Sequence, residues 1–113
     1  MMIPIKSREE LDKMRKSGRI LARVLKGLEG IVTAGAATIE IDRYAEELLS
    51  KEDCIAAFKG YRGFPASVCT SVNEEIVHGI PGERRLKDGD IISLDIGINY
   101  EGYYSDAAVT LPV

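Results

Sequence analysis

Tryptophan is absent, histidine occurs once and cysteine twice in 113 residues. The single histidine, His78, excludes a zinc site that draws several imidazoles from this chain. Cys54 and Cys69 show no CxxC spacing and make no disulfide framework, so they read as free thiols of a cytoplasmic protein. No apolar run approaches the roughly 18 residues that span a bilayer, so no transmembrane helix and no membrane partner is expected. The opening MMIPIKS is too short for a signal peptide. No repeat, low-complexity tract or linker interrupts the chain.

What is present is ordinary for a globular protein: 45% hydrophobic and 29% charged residues, which argues against disorder. The length suits a single domain over 1–113, one that buries about 65% of its unfolded surface. The net charge of −3 is unevenly spread: residues 1–26 sum to +5 and the remainder to −8. Lys16, Arg19, Arg23 and Lys26 recur at helical spacing within the basic part. They read as a solvated face, or alternatively as a surface that docks on RNA.

Ser7-Arg8-Glu9-Glu10 fits a capping box. The spacing of Leu11, Met14, Gly18, Leu21, Leu25 and Leu28 predicts a helix with one apolar stripe, ending at Gly30. Gly18 within that stripe suggests a close passage of another backbone. Thr38 is positioned to cap a second helix running to about Ser50, with Ile41, Tyr44 or Ala45, and Leu48 facing in. Short strands are expected at Cys54 to Phe58, Ser67 to Val72 and Glu75 to Val77, and a polar loop from Pro81 to Gly89. The clearest strand is Asp90 to Asn99, where Ile92, Leu94, Ile96 and Ile98 alternate with Ser93, Asp95, Gly97 and Asn99. Tyr103 to Leu111 returns as its hairpin partner. The fold class is α+β: two helices covering the apolar face of a mostly antiparallel sheet.

Asp95 and Asp106 lie one on each arm of the hairpin. A loop at Tyr100-Glu101 pairs them directly, whereas one at Glu101-Gly102 pairs Asp106 with Gly97. Both registers set the carboxylates on one polar face. Like charges so placed repel unless a cation lies between them or one is protonated. Ser93, Gly97 and Ala108 are small and leave room above the pair, and hard oxygen donors there suit divalent metals. The competing reading is two solvated charges on an open face. His78, at the exit of a strand, suits a general acid/base or a donor to developing charge, as well as a plain surface residue. Tyr61, Phe64 and Cys69 read as core or rim residues by default.

The run Gly60-Tyr61-Arg62-Gly63-Phe64-Pro65 through Ser67-Val68-Cys69, Asn73-Glu74 and His78-Gly79-Ile80-Pro81 carries a further signal. With Asp88-Gly89-Asp90, Asp95 and Ser105-Asp106, it closely resembles type I methionine aminopeptidases, as does the Ile5-to-Arg19 opening. The resemblance covers essentially the whole chain. It implies a pita-bread fold and removal of N-terminal methionine from nascent polypeptides. It also implies two divalent metal ions (Mn, Fe, Co or Zn) per complete site. Asp95 and Asp106 match the first two metal-ligand aspartates, and His78 the histidine that contacts substrate and steadies the tetrahedral intermediate. Tyr61 and Cys69 match positions lining the methionine pocket. Phe64 stands where a tyrosine is usual, and Phe58 where a smaller residue is.

Members of that family run to about twice this length. The other half supplies a histidine and two glutamates as ligands and a second active-site histidine, so two aspartates make an incomplete site. The chain resembles one of two halves related by pseudo-twofold symmetry. Three readings follow: the N-terminal half of an aminopeptidase; a non-catalytic half-fold that homodimerises or pairs with a complementary C-terminal half; and a pita-bread relative used only for binding. The half chain alone is expected to have little or no activity. The ribosome surface is a further partner that the resemblance and the basic helix suggest.

Overall fold

The computed structural model describes residues 7–60, 63–74 and 79–113. Among the described residues, two helices, α1 (Arg8–Glu29) and α2 (Thr38–Lys51), precede four strands. These are β1 (Ile55–Ala56), β2 (Val68–Val72), β3 (Ile91–Tyr100) and β4 (Tyr103–Pro112). All strand pairings among the described residues are antiparallel. The central strand, β3, pairs along one edge with β2 and then β1, and along the other with β4 over its whole length. Among the described residues, no helix is long and apolar enough to cross a membrane.

Helix α1 begins as the capping box requires. The Glu10 amide donates to Ser7 Oγ at 3.1 Å, and the Ser7 amide donates to Glu10 Oε1 at 3.0 Å. Such a cap contributes about 1 kcal/mol. The buried stripe is Ser17, Ile20, Leu21, Val24 and Leu28, rotated from the expected one, and Leu11 and Met14 are exposed. The expectation for Gly18 fails: a Cβ there would meet nothing within 4 Å. The close approach is at Gly27, where a Cβ would lie 2.9 Å from Leu48 Cδ1, and this is where α1 and α2 touch. Helix α2 is capped at Ala37, not Thr38. Thr38 is already helical, and its hydroxyl donates to the Gly82 carbonyl and accepts from the Gly82 amide. Its inward face is Ile41, Asp42, Ala45 and Leu49.

Beneath the helices lies the apolar face of the sheet. Ile92, Leu94, Ile96 and Ile98 are fully buried, each contributing about 1.5–3 kcal/mol on transfer from water. Ser17 Oγ fastens α1 to β4 through the Tyr103 carbonyl at 3.1 Å and Ser105 Oγ at 2.8 Å. The strand expected from Cys54 to Phe58 is reduced to two residues. The expected strand at Glu75 to Val77 lies outside the described residues. In the 81–89 loop, Leu86 is a core residue, and its backbone pairs with Gly35 and Ala36.

Candidate metal centre

The hairpin turn decides the register. Glu101 and Gly102 both have positive φ, 49° and 89°, as a two-residue primed turn requires. Gly102 takes this conformation without a Cβ penalty, and its amide donates to Asn99 Oδ1 at 2.8 Å. A turn at Tyr100-Glu101 would have placed two side-chain-bearing residues at those angles. Asp106 therefore pairs with Gly97, and Asp95 with Ala108. The two carboxylates share one face as diagonal neighbours, a relationship that sets side chains roughly 7–8 Å apart. Asp95 is half-buried and Asp106 exposed.

Around them the open face runs in rows. Cys69 stands directly across from Asp95 on β2, and Ser71 across from Ser93. Ser93 Oγ and Thr110 Oγ1 are hydrogen-bonded at 2.9 Å. The Cys69 side chain is buried. Its thiol pKa is pushed up, first by that burial and then by the Asp95 charge. Over Gly97 lies the Phe58 ring: a Cβ on Gly97 would meet Phe58 Cε1 at 2.9 Å and Cζ at 3.3 Å. Phe58 thus covers Gly97, the residue across the hairpin from Asp106. The Ala57 amide donates to the Gly97 carbonyl at 2.8 Å and fixes that approach.

Of the residues singled out in the sequence, Asp95, Asp106 and Cys69 come together on this face. Phe64 lies in the connection between β1 and β2, half-buried, its carbonyl accepting from the Gly60 amide at 2.8 Å. Tyr61 and His78 lie outside the described residues. Gly79, which follows His78, is held against β2. Its carbonyl accepts from the Thr70 amide at 2.8 Å, and its amide donates to Ser71 Oγ at 3.3 Å.

Two carboxylates beside small neighbours fit hard divalent cations. Among the described residues, no group of three or more His, Cys, Asp or Glu side chains could hold a metal ion, so the donor set is partial. Asp42 and Glu46 on α2 were missed from the sequence. Asp42 Oδ1 accepts from the Ser67 and Val68 amides at 2.7 and 3.0 Å. A carboxylate on the apolar stripe beside Ile41 and Ala45 is the signal that could have found it. A separate groove of about 600 Å³, lined by Ile39, Glu40, Arg43, Glu83 and Arg85 among others, lies at the start of α2. The first amides of the helix there already donate to Arg84, Gly82 and Ala37 carbonyls.

The family model for metallopeptidase family M24 matches residues 12–113. Methionine aminopeptidase 1 of Bacillus subtilis is 52% identical over 112 residues, which are 99% of this chain and 45% of that protein. The crystal structure of methionine aminopeptidase from Rickettsia prowazekii superposes with a TM-score of 0.93 at 32% identity. The Thermotoga maritima enzyme does so with 0.92 at 41%. Each match covers 99% of this chain and 45% of the other. The chain thus spans about half the length of the relatives it matches.

Proposed function

The chain belongs to metallopeptidase family M24, and on that footing we propose that it is the N-terminal half of a methionine aminopeptidase catalytic domain, with 1–113 as one domain. In that reading, Asp95 and Asp106 are two ligands of a divalent-metal site that removes N-terminal methionine from nascent polypeptides in the cytoplasm. The observation that carries it is the placement of the two carboxylates, diagonal on one face of the hairpin, with the small residues Gly97 and Ala108 as their cross-strand partners.

A bound metal would supply Lewis acidity and a water acidic enough to attack at neutral pH. The chain's own part is to hold, orient and exclude water. The two aspartates are the hard donors; the metal is Mn, Fe, Co or Zn, two per complete site. Cys69 and the Phe58 ring keep water from the face beside them, and with Tyr61 and Phe64 they offer apolar surface to a methionine side chain. His78, next to the anchored Gly79, serves as donor to the charge that develops on the scissile carbonyl.

A catalytic metal takes about three protein ligands plus water, so this half alone has little or no activity. The completing half is either a complementary C-terminal segment or a second copy of the chain. The outer edge of β4 is unpaired among the described residues, and Ile55, Ile91 and Tyr104 are exposed on the face that carries the carboxylates. Both features invite a second chain. A non-catalytic module that only pairs is the alternative reading, favoured by the same exposed edge.

The basic face of α1 is partly spent inside the chain. Lys16 lies 5.1 Å from the Tyr100 ring centre, and Arg23 pairs with Glu52. Docking on ribosomal RNA would rest on Arg19 and Lys26.

The test is methionine release from Met-Gly peptides with added Mn(II) or Co(II). The chain alone should release almost none, and the chain mixed with a complementary half should release it, with loss of release in His78→Ala. No release from the reconstituted pair would leave the pairing module as the better account.

A further inference from the structure

Two carboxylates one helical turn apart on α2 hold the connection that carries Phe58, and neither belongs to the metal-site reading. Asp42, buried within the domain, takes the Ser67 and Val68 amides on one oxygen and so fixes where β2 begins. Glu46 uses a single oxygen, Oε1, for both ends of the connection: Lys59 Nζ donates to it at 2.6 Å and Ser67 Oγ at 3.0 Å. Lys59 directly follows Phe58, and Ser67 directly precedes β2. Between them the Gly60 amide closes onto the Phe64 carbonyl at 2.8 Å.

We propose that Glu46 is a positioning residue: by bridging Lys59 and Ser67 it seats the Phe58 ring on Gly97, and so sets the width of the apolar wall beside Asp95 and Asp106. The ring's role as a substrate wall rests on the function proposed above; its seating by Glu46 does not. The geometry needs such a tie. Strand β1 is only two residues long, and among the described residues the backbone tie of the segment just beyond Ala56 to β3 is the bond from the Ala57 amide to the Gly97 carbonyl. The Lys59–Glu46 pair lies at the surface, where an ion pair adds little to global stability. Its loss should therefore change where the ring lies more than whether the chain folds. Supporting the tie, the Glu46 carboxyl is held below its usual range, chiefly by the bond from Lys59 and further by Ser67, against the opposing effect of burial.

The experiment reads the Gly97 α-proton resonances of glycine-labelled full-length chain, which the Phe58 ring current displaces. Phe58→Leu supplies the value without a ring. Glu46→Gln, and independently Lys59→Met from the other end of the bridge, should move these resonances at least halfway to the Phe58→Leu value. Lys59→Arg should leave them in place. Unmoved resonances in both Glu46→Gln and Lys59→Met, with native circular dichroism, would overturn the proposal. Mn(II) added to the same samples separates the two readings. Broadening of the Gly97 signals that is lost in Asp95→Asn supports the metal site. A full Glu46→Gln shift without Mn(II) broadening supports the positioning role while removing the metal site.

Discussion

Asp106 stands directly across the hairpin from Gly97, so the carboxylate faces a residue with no side chain while Asp95 lies one diagonal step away. Direct opposition of two carboxylates is destabilising. The offset lowers that repulsion and leaves the space over Gly97 to be filled from elsewhere, which Phe58 does.

Gly97→Ala should therefore be costly although its backbone is unstrained. The new methyl would lie within 2.9 Å of the Phe58 ring, and overpacking of this kind costs about 1–3 kcal/mol. Chemical denaturation should show that loss, and most of it should return in the double variant with Phe58→Ala. A fully additive double variant would show that the ring does not seat on Gly97.

Asp90 ties the start of β3 to the end of β2. Its carboxyl is held below its usual range first by Asn73 Nδ2, at 2.9 Å, and then by the Lys87 amide, at 2.8 Å. A depressed folded pKa gives stability that is present above the unfolded value of about 3.9 and is lost as pH falls through the folded one. Asp90→Asn should be less stable than the parent at pH 7, and the difference should close as pH falls through the depressed folded pKa. A difference independent of pH would contradict this.

Both thiols should be slow. Cys54 and Cys69 are free but buried, and desolvation, with nearby acidic groups adding to it, raises the pKa of each. Reaction with a soluble disulfide reagent at neutral pH should be at least tenfold slower in the native chain than in the unfolded one. Rapid labelling of Cys69 would mean that the wall beside Asp95 opens to solvent.

Association should depend on metal. Bringing two copies of the Asp95–Asp106 face together gathers four carboxylates, which repel at neutral pH unless a cation intervenes. Sedimentation at tens of micromolar should show a dimer, and Mn(II) or Co(II) should raise its melting temperature. A monomer indifferent to metal would leave the complementary half as the only completing partner.

The period-two pattern from Ile92 to Ile98 and the capping box at Ser7 made β3, β4 and α1 legible, because each states its own local rule. The turn residues could have selected the register too, since only Gly102 accepts positive φ at no cost. Phe58 and Glu46 were harder to see. Phe58 matters through a ring placed on Gly97 across the sheet, and Glu46 through bonds to residues 13 and 21 positions away. No periodicity within the chain encodes such contacts. Gly18 misled for the same reason: a glycine on an apolar stripe signals room, not which backbone, if any, uses it.

The most direct measurement is a Mn(II) titration followed by electron paramagnetic resonance on the parent chain, Asp95→Asn, Asp106→Asn and, as a control, Asp90→Asn. The account predicts that the parent and Asp90→Asn bind alike. Each of the other two should weaken binding at least tenfold, about 1.4 kcal/mol. Equal affinity in all four would place the metal elsewhere and contradict the account.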